Sequence, residues 1–244
     1  MNLSIMLDNS CWYRLQYEHR LFERGSMSKA PRVHLQEAWD NVGGLSEPGK
    51  MPSYSISIPA KYCNVGTKLR DVKGSTCENC YAFERGRYRF TPVKNALERR
   101  YMALESPTWS SDMALLINEL CAKVPYFRWH DSGDSQSIDH LRAIVEVCID
   151  TPRINHWLPT REYKIVSDYR KQYGEFPPNL VVRLSGHMVN QSPPTGYGLP
   201  VSSVTTTHSM TNASICEAYT RGGKCGPCRK CWKPSVKHVA YPIH

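Results

Sequence analysis

Apolar residues in the second half of the chain recur in two alternating patterns, which predict strands that alternate with helices. Four short apolar runs predict strands at residues 126–130, 154–158, 180–184 and 200–206. Between them, apolar positions at helical spacing predict helices over residues 137–150 and 163–172. This order is typical of successive βαβ units.

The first half of the chain has a weaker pattern. Residues 53–58 alternate and predict one strand, while 93–105 and 112–123 predict helices. Glycine and proline mark residues 41–52 as a loop, and residues 60–92 are polar, basic and without clear periodicity.

The alternation predicts an α/β fold with a parallel sheet and right-handed crossovers. Five or six strands fit the 244 residues, so we expect a partial or small β/α barrel; an open doubly wound sheet is the alternative. We divide the chain into an N-terminal extension (1–30), the barrel (31–213, with a first cysteine site at 63–80) and a C-terminal cysteine-rich segment (214–244).

Polar residues follow each predicted strand where a ligand site is expected, because parallel α/β sheets bind ligands at the carboxyl ends of their strands. The candidates for holding a small ligand are Asp131, Ser132, Asp134, Arg161 and Arg183. Loops are polar in any protein, so the alternative is a structural network of ion pairs.

No apolar run approaches the roughly 18 residues that a membrane-spanning helix needs, and the N-terminal residues lack the pattern of a secretory signal. We therefore expect a cytoplasmic protein without a membrane partner. The chain has ten cysteines, and in the cytoplasm these favour metal or redox chemistry over disulfides.

The C-terminal cysteines form the stronger motif. Cys225, Cys228 and Cys231 follow each other at three-residue spacing, with Cys216 upstream as a fourth ligand. Such a run is typical of a cubane iron–sulfur cluster, whereas zinc sites usually pair two separate C-x-x-C knuckles. Zinc remains the alternative.

The first cysteine site combines Cys63 with the C-x-x-C pair Cys77 and Cys80. Three thiolates on a four-iron cluster leave one iron open to a ligand. The alternatives are a closed site, with His130, His187 or His208 as fourth ligand, a zinc ion, and a thioredoxin-like redox pair. We interpret Cys11, Cys121 and Cys148 as structural, because free cysteine is commonly a small buried hydrophobe.

The net charge of +9 lies wholly in the two cysteine-containing segments. Residues 63–101 hold nine Lys/Arg against four Asp/Glu, and residues 214–244 hold six against one. Cations would stabilise an anionic cluster. The alternative is a nucleic-acid surface, for which the aromatic and basic run YAFERGRYRF is suited.

Several ordered motifs between about Leu45 and His244 resemble the phage gene product 88 family of uncharacterised proteins: SEPGKMPSYSISIPAKYC, KGSTCENCYAFERGRY, FRWHDSGD, WLPTRE, VVRLSG, GGKCGPCRKCW and YPIH. The C-x-x-C-Y element also resembles a second uncharacterised phage family with an N-terminal three-cysteine motif. Both are distantly similar to radical S-adenosylmethionine enzymes.

That similarity implies a partial β/α barrel, a three-cysteine cluster after the first strand and a C-terminal auxiliary cluster. The position of Cys63, Cys77 and Cys80 agrees with it. Their spacing departs from the usual C-x3-C-x2-C motif, because thirteen residues separate Cys63 from Cys77.

The sequence thus predicts a phage iron–sulfur protein in the host cytoplasm, with one or two 4Fe-4S clusters and redox or radical chemistry on a small ligand. S-adenosylmethionine is a candidate cofactor, and a small molecule or an electron donor is the expected partner. The alternative is a zinc-stabilised nucleic-acid-binding protein without enzymatic activity. A third reading gives the clusters a purely structural role.

Overall fold

The computed structural model describes residues 32–83, 85–207 and 212–243. The predicted extension 1–30, and with it Cys11, lies outside the described residues. The helices are α1 (Arg32–Asn41), α2 (Asn64–Arg70), α3 (Thr91–Ala103), α4 (Trp109–Leu120), α5 (Ile138–Asp150) and α6 (Tyr163–Tyr173). The strands are β1 (Tyr54–Ile56), β2 (Tyr126–Trp129), β3 (Asn155–Thr160), β4 (Leu180–Val189), β5 (Val201–Thr205), β6 (Ser214–Ile215) and β7 (His238–Pro242). Short 3-10 helices cover Ala60–Tyr62, Gly86–Arg89, Glu217–Arg221 and Lys230–Trp232.

Helix α5 shows how the local sequence sets an element. The Ser137 hydroxyl accepts the backbone N–H of His140 at 3.1 Å and caps the first turn. Leu141, Ile144 and Cys148 then follow at helical spacing and are fully buried against the sheet. The predicted helix at this position is therefore confirmed.

The seven strands form one parallel sheet in the order β1-β2-β3-β4-β5-β7-β6. The predicted α/β class and the parallel sheet are confirmed. The first five strands follow chain order, whereas a doubly wound sheet reverses direction near its middle. The sheet is open, with β1 and β6 at its edges, and it does not close into a barrel.

The expectation of five or six strands is wrong because the segment 214–243 supplies two more. Strand β7 inserts between β5 and β6, and Val201 pairs with His238. Strand β6 has only two residues, and β7 contains a histidine and a proline, so neither gives a clear apolar run. The C-terminal cysteines consequently lie between two strands of the same sheet.

One face of the sheet carries the hydrophobic core. Helices α1, α4, α5 and α6 pack in a row against it, and Cys121 and Cys148 lie in this core as predicted. Within the described ranges, none of the helices has both the length and the apolar character needed to cross a bilayer.

The opposite face, called here the polar face, carries Ser55, Arg128, Trp157, Arg183 and Tyr241. Cross-strand register places them together, since Ser55 pairs with Arg128 and Arg128 pairs with Trp157. Residues Lys230–Trp232 contact β3 and β4, and the Trp232 ring meets the Trp157 ring at 5.1 Å between centroids. The C-terminal cysteine segment thus covers part of the polar face.

Candidate metal and ligand site

Cys63 is positioned at the beginning of helix α2 by a carboxylate from another strand end. It is the N-cap residue of α2 and makes no side-chain capping bond itself. Instead Glu162, just after β3, accepts the backbone N–H of Val65 at 2.9 Å. A carboxylate at a helix N-terminus satisfies an otherwise unpaired N–H and complements the helix dipole.

Cys77 is positioned by a loop that docks on the end of β4. Val189 donates its N–H to the Gly74 carbonyl at 2.9 Å, and Thr76 donates its N–H to the His187 carbonyl at 2.8 Å. The Thr76 hydroxyl also contacts the carbonyls of Gly186 and His187 at 3.2 Å. These bonds place the C-x-x-C pair at the carboxyl ends of the strands. Cys63 lies there too, in the chain that follows β1.

Helix α2 lies against two of the thiols of the first candidate site. A Cβ atom placed on Gly66 would lie 2.9 Å from Cys63 Cβ and 3.6 Å from the sulfurs of both Cys63 and Cys77. Cys63 also interacts electrostatically with both Cys77 and Cys80. Only a glycine at position 66 therefore lets helix α2 lie against this thiol group without displacing it.

Burial raises the pKa of the Cys63 thiol strongly, and the negative charge of Asp134 and the neighbouring thiols adds to the shift. Burial also raises the pKa of Cys77, while the Arg161 guanidinium opposes it. Thiolates in such surroundings are costly unless a cation compensates them.

Asp134 joins the ends of β2 and β3. Its carboxylate accepts the Thr160 hydroxyl at 2.6 Å and the backbone N–H groups of Ser135 and Arg161, both at 2.8 Å. Burial raises its pKa in spite of these bonds. The carboxylate that the sequence predicted as a ligand-binding group is thus fixed in place beside the first thiols.

Asp131 and Ser132 hold the loop after β2 against the chain after β1. The Ser132 hydroxyl donates to the Ile58 carbonyl at 3.0 Å, and Asp131 forms an ion pair with Arg87 at 2.6 Å. Gly133 has a φ of +85°, and a Cβ there would overlap Ile58. Glycine is required at this close approach.

Arg161 lies at the first site and Arg183 lies at the second. Arg161 interacts electrostatically with Cys63, Cys77 and Asp134, and its Nε donates to the Thr76 hydroxyl at 3.0 Å. Of the five predicted ligand-binding residues, the structure groups Asp131, Ser132, Asp134 and Arg161 at one sheet edge. Arg183 interacts instead with Cys231 and Tyr241.

The four C-terminal cysteines make up the second candidate site. Cys225 interacts electrostatically with Cys216 and Cys228, and Cys231 with Cys216 and Cys225. Backbone bonds hold the segment, since Cys216 donates to the Ala240 carbonyl at 2.8 Å and Cys225 to the Lys50 carbonyl at 2.9 Å. Burial raises the pKa of Cys231 to about 11, while its bond to the Tyr241 hydroxyl and the Arg183 charge oppose the shift.

Arg183 is a buried clamp on this segment. Its Nη1 donates to the carbonyls of Val201 and Val236 at 3.0 Å, and its Nη2 lies 3.4–3.5 Å from three more carbonyls, those of Lys230, Cys231 and Lys233. Burial lowers its pKa. The side chain links β4 to both ends of the turn that carries Cys231.

Across residues 32–83, 85–207 and 212–243, no group of three or more His, Cys, Asp or Glu side chains has the geometry to hold a metal ion. The histidine candidates for a fourth ligand are dispersed. His187 stacks on Tyr163 with 4.4 Å between ring centroids, and His130 packs against His140 beside the core. His208 lies outside the described residues. The nine described cysteines are all free thiols.

Sequence reasoning missed Glu162, Thr76 and Gly66 as parts of the first site. Glu162 belongs to the polar run that follows the third predicted strand, but its capping role joins residues 97 positions apart and no local pattern shows it. Gly66 looked like any loop glycine. The one available signal was the clustering of polar residues in the order Thr160-Arg161-Glu162 directly after a buried strand.

Comparison with known proteins gives a family assignment. No curated protein and no solved structure matches the chain. The family model described as Gene product 88 matches residues 26–234, which is most of the chain and includes all seven cysteines of the two sites. The protein therefore belongs to the gene product 88 family.

Proposed function

We propose that this protein is an iron–sulfur protein with two cluster sites. The observation that carries the proposal is that the cysteines fall into two sets whose members interact electrostatically, one of Cys63, Cys77 and Cys80 and one of Cys216, Cys225, Cys228 and Cys231. Thiolates are the ligands that iron–sulfur clusters use. The close approach of Gly66 to the sulfurs of Cys63 and Cys77 supports the first site.

The two sites have different roles in this proposal. Four thiolates complete the coordination of a cubane, so the second site is structural or carries electrons. Three thiolates leave one position open, and Arg161 and Asp134 stand beside it to hold a small ligand. A cluster bound there would supply one-electron chemistry, with S-adenosylmethionine as the candidate ligand that the family resemblance implies.

We also propose that the parallel sheet and its helices form a partial β/α barrel. The strand order β1 to β5 follows the chain, and the described helices α1, α4, α5 and α6 pack as a row on one face. Sequential strands with crossovers on one side are the arrangement of β/α barrels. The polar face would then line the interior, with the host cytoplasm supplying the ligand or the electron donor.

Anaerobic purification of the full chain tests the cluster proposal. Iron and acid-labile sulfide in similar amounts, with broad visible absorption, are expected. Cys77→Ala and Cys228→Ala should each remove iron from one site, whereas the core variant Cys121→Ala should keep all of it. Colourless protein that carries zinc, or iron content unchanged in both site variants, would contradict the proposal.

A second candidate function is binding of single-stranded nucleic acid at a basic and aromatic patch beside the first site. Tyr81 and Phe90 expose 59% and 53% of their surface, and Arg85 and Arg89 are exposed between them. Exposed rings flanked by cations suit base stacking with phosphate contacts. This patch is the observation that favours the zinc-stabilised nucleic-acid alternative.

Fluorescence anisotropy with a labelled single-stranded oligonucleotide tests this second candidate. Binding should weaken as salt rises, and Phe90→Ala should reduce affinity about tenfold, since a stacked base contributes roughly 1–3 kcal/mol. Met102→Ala, which removes another exposed apolar side chain, is the control. Equal binding by Phe90→Ala and wild type would exclude the patch.

A further inference from the structure

We propose that Arg128 anchors an oxyanion, a carboxylate or a phosphate group, on the polar face of the sheet between the two cysteine sites. This binding site does not depend on the presence of clusters. It rests on three polar groups without hydrogen-bond partners among the described residues: the Arg128 Nε on β2, the Ser55 hydroxyl on β1 and the Ser57 hydroxyl directly after β1.

Arg128 is half-buried, and one edge of its guanidinium lacks a protein partner. Its Nη1 contacts the Met51 sulfur at 3.0 Å, and its carbon lies 4.6 Å from the centre of the Trp157 ring. Its Nε is buried and has no hydrogen-bond partner among the described residues. The guanidinium is therefore held flat against an aromatic ring with its Nε edge unused.

Arg100, a buried arginine on the α3 helix, is not left in this state, because all three of its guanidinium nitrogens are paired. Arg100 donates Nε to the Gly44 carbonyl at 2.8 Å, Nη1 to the Ser46 hydroxyl at 2.8 Å and Nη2 to the Leu45 carbonyl at 2.9 Å. Arg183 also has a buried Nε without a partner among the described residues, but both of its Nη atoms donate to carbonyls. A buried cation is costly unless it is paired, so the unpaired edge of Arg128 indicates a partner from outside the chain.

Two serine side chains belong to the segment that neighbours Arg128. Ser55 is the cross-strand partner of Arg128 in the β1–β2 register, and Ser57 follows directly after β1, two residues further along the chain. Both hydroxyls are buried without a hydrogen-bond partner in the part of the chain that the structure describes. One guanidinium edge and two hydroxyls form a donor set that suits an oxyanion.

The charges around Arg128 place the site between the two cysteine groups. Arg128 interacts electrostatically with Tyr81 and Asp131 towards the first site and with Cys225 and Tyr241 towards the second. Asp131 would repel an anion, but its ion pair with Arg87 at 2.6 Å offsets that charge. The Nε edge of an arginine binds carboxylates and phosphates in a bidentate way.

Equilibrium dialysis of the full chain against labelled inorganic phosphate and, separately, labelled succinate tests this inference at constant ionic strength. One of the two probes should bind with one equivalent per chain, and the arm that binds identifies phosphate or carboxylate. Arg128→Met should weaken that binding at least about tenfold, because a charge-assisted pair contributes roughly 1.5–3 kcal/mol. Ser55→Ala should weaken it a few-fold.

Arg142→Met on α5 is the matched control, since this exposed arginine pairs only with neighbours on its own helix. If Arg128→Met does not fold, the variants Arg128→Lys and Ser55→Ala test the binding site instead. Both keep the packing; the first loses the guanidinium fork and the second loses the serine hydroxyl. Absence of binding to wild type, or equal binding by wild type and these variants, overturns the site. Iron measured in the same samples separates this result from that of the cluster proposal.

Discussion

The Glu162 carboxylate, at the end of β3, accepts the backbone N–H of Val65, in the first turn of α2, at 2.9 Å. This bond connects the strand end that carries Arg161 to the helix that begins directly after Cys63. Burial raises the pKa of Glu162, while the bond from Val65 opposes the shift. The position of the first thiol therefore depends on a carboxylate that is remote in sequence.

Glu162→Ala should loosen the beginning of α2 and displace Cys63 from the other two thiols. Loss of a helix cap costs about 1 kcal/mol, so the protein should still fold. We expect iron bound at the first site to fall while iron at the second site stays. Glu105→Ala, at an exposed position after α3, is the control. Iron content unchanged by Glu162→Ala would show that the cap does not position Cys63.

Gly66→Ala tests the space beside the thiols. Alanine favours a helix over glycine by about 1 kcal/mol, so a helix without further constraints would become more stable. Here the new Cβ would lie 2.9 Å from Cys63 Cβ, and we expect loss of iron from the first site instead. Gly49→Ala, where nothing lies within 4 Å, should have no effect. A stabilised variant with full iron content would contradict the close approach.

Arg183→Met should disrupt the second cysteine segment. The guanidinium satisfies carbonyls of β5 and of the turn at Lys230–Trp232, and hydrogen bonds to charged groups contribute roughly 1.5–3 kcal/mol each. We expect urea unfolding to show a loss of about 3 kcal/mol or more, with iron lost from the second site. Arg183→Lys should not restore it, since one ammonium cannot reach both sides of the turn.

The opposite outcome for Arg183 is equally informative. The sequence predicts this arginine as a residue that binds a small anionic ligand. If Arg183→Met keeps its stability and its iron but binds an anion such as phosphate less tightly than wild type, that prediction holds and the clamp is of minor importance.

The fold was largely predictable from the sequence where the apolar residues of a strand or helix recur with a clear period. Strands β2 to β5 and helices α3 to α6 lie within about five residues of the predicted positions, and α4, α5 and α6 each bury apolar residues at helical spacing. Helices α1 and α2 and strands β6 and β7 were missed. Helix α2 has no fully buried residue, and its stability depends on contacts such as the Glu162 cap.

The candidate site was predictable in composition but not in assembly. The cysteine spacing predicts the members of both candidate groups. It could not show that Thr76 docks on His187, that Arg183 serves the second group, or that Arg128 faces Ser55. These relations arise from strand register and long-range hydrogen bonds, which no local spacing encodes.

Three buried histidines should make the protein unstable in mild acid. Burial lowers the pKa of His140 to about 4 and that of His156 to about 3, and it lowers the pKa of His130 well below its usual value. In the unfolded chain each of these histidines binds a proton near pH 6.5. Between pH 6.5 and about 4 the unfolded state therefore holds more protons, and the free energy of unfolding falls as pH falls. Each histidine contributes up to about 1.4 kcal/mol per pH unit in that window.

Urea unfolding at pH 7 and pH 5 should show this loss, and His140→Phe should reduce the difference between the two values. His34→Phe, at an exposed position on α1, should leave the difference unchanged. Equal pH dependence in His140→Phe and wild type would show that His140 is not held neutral in the folded protein.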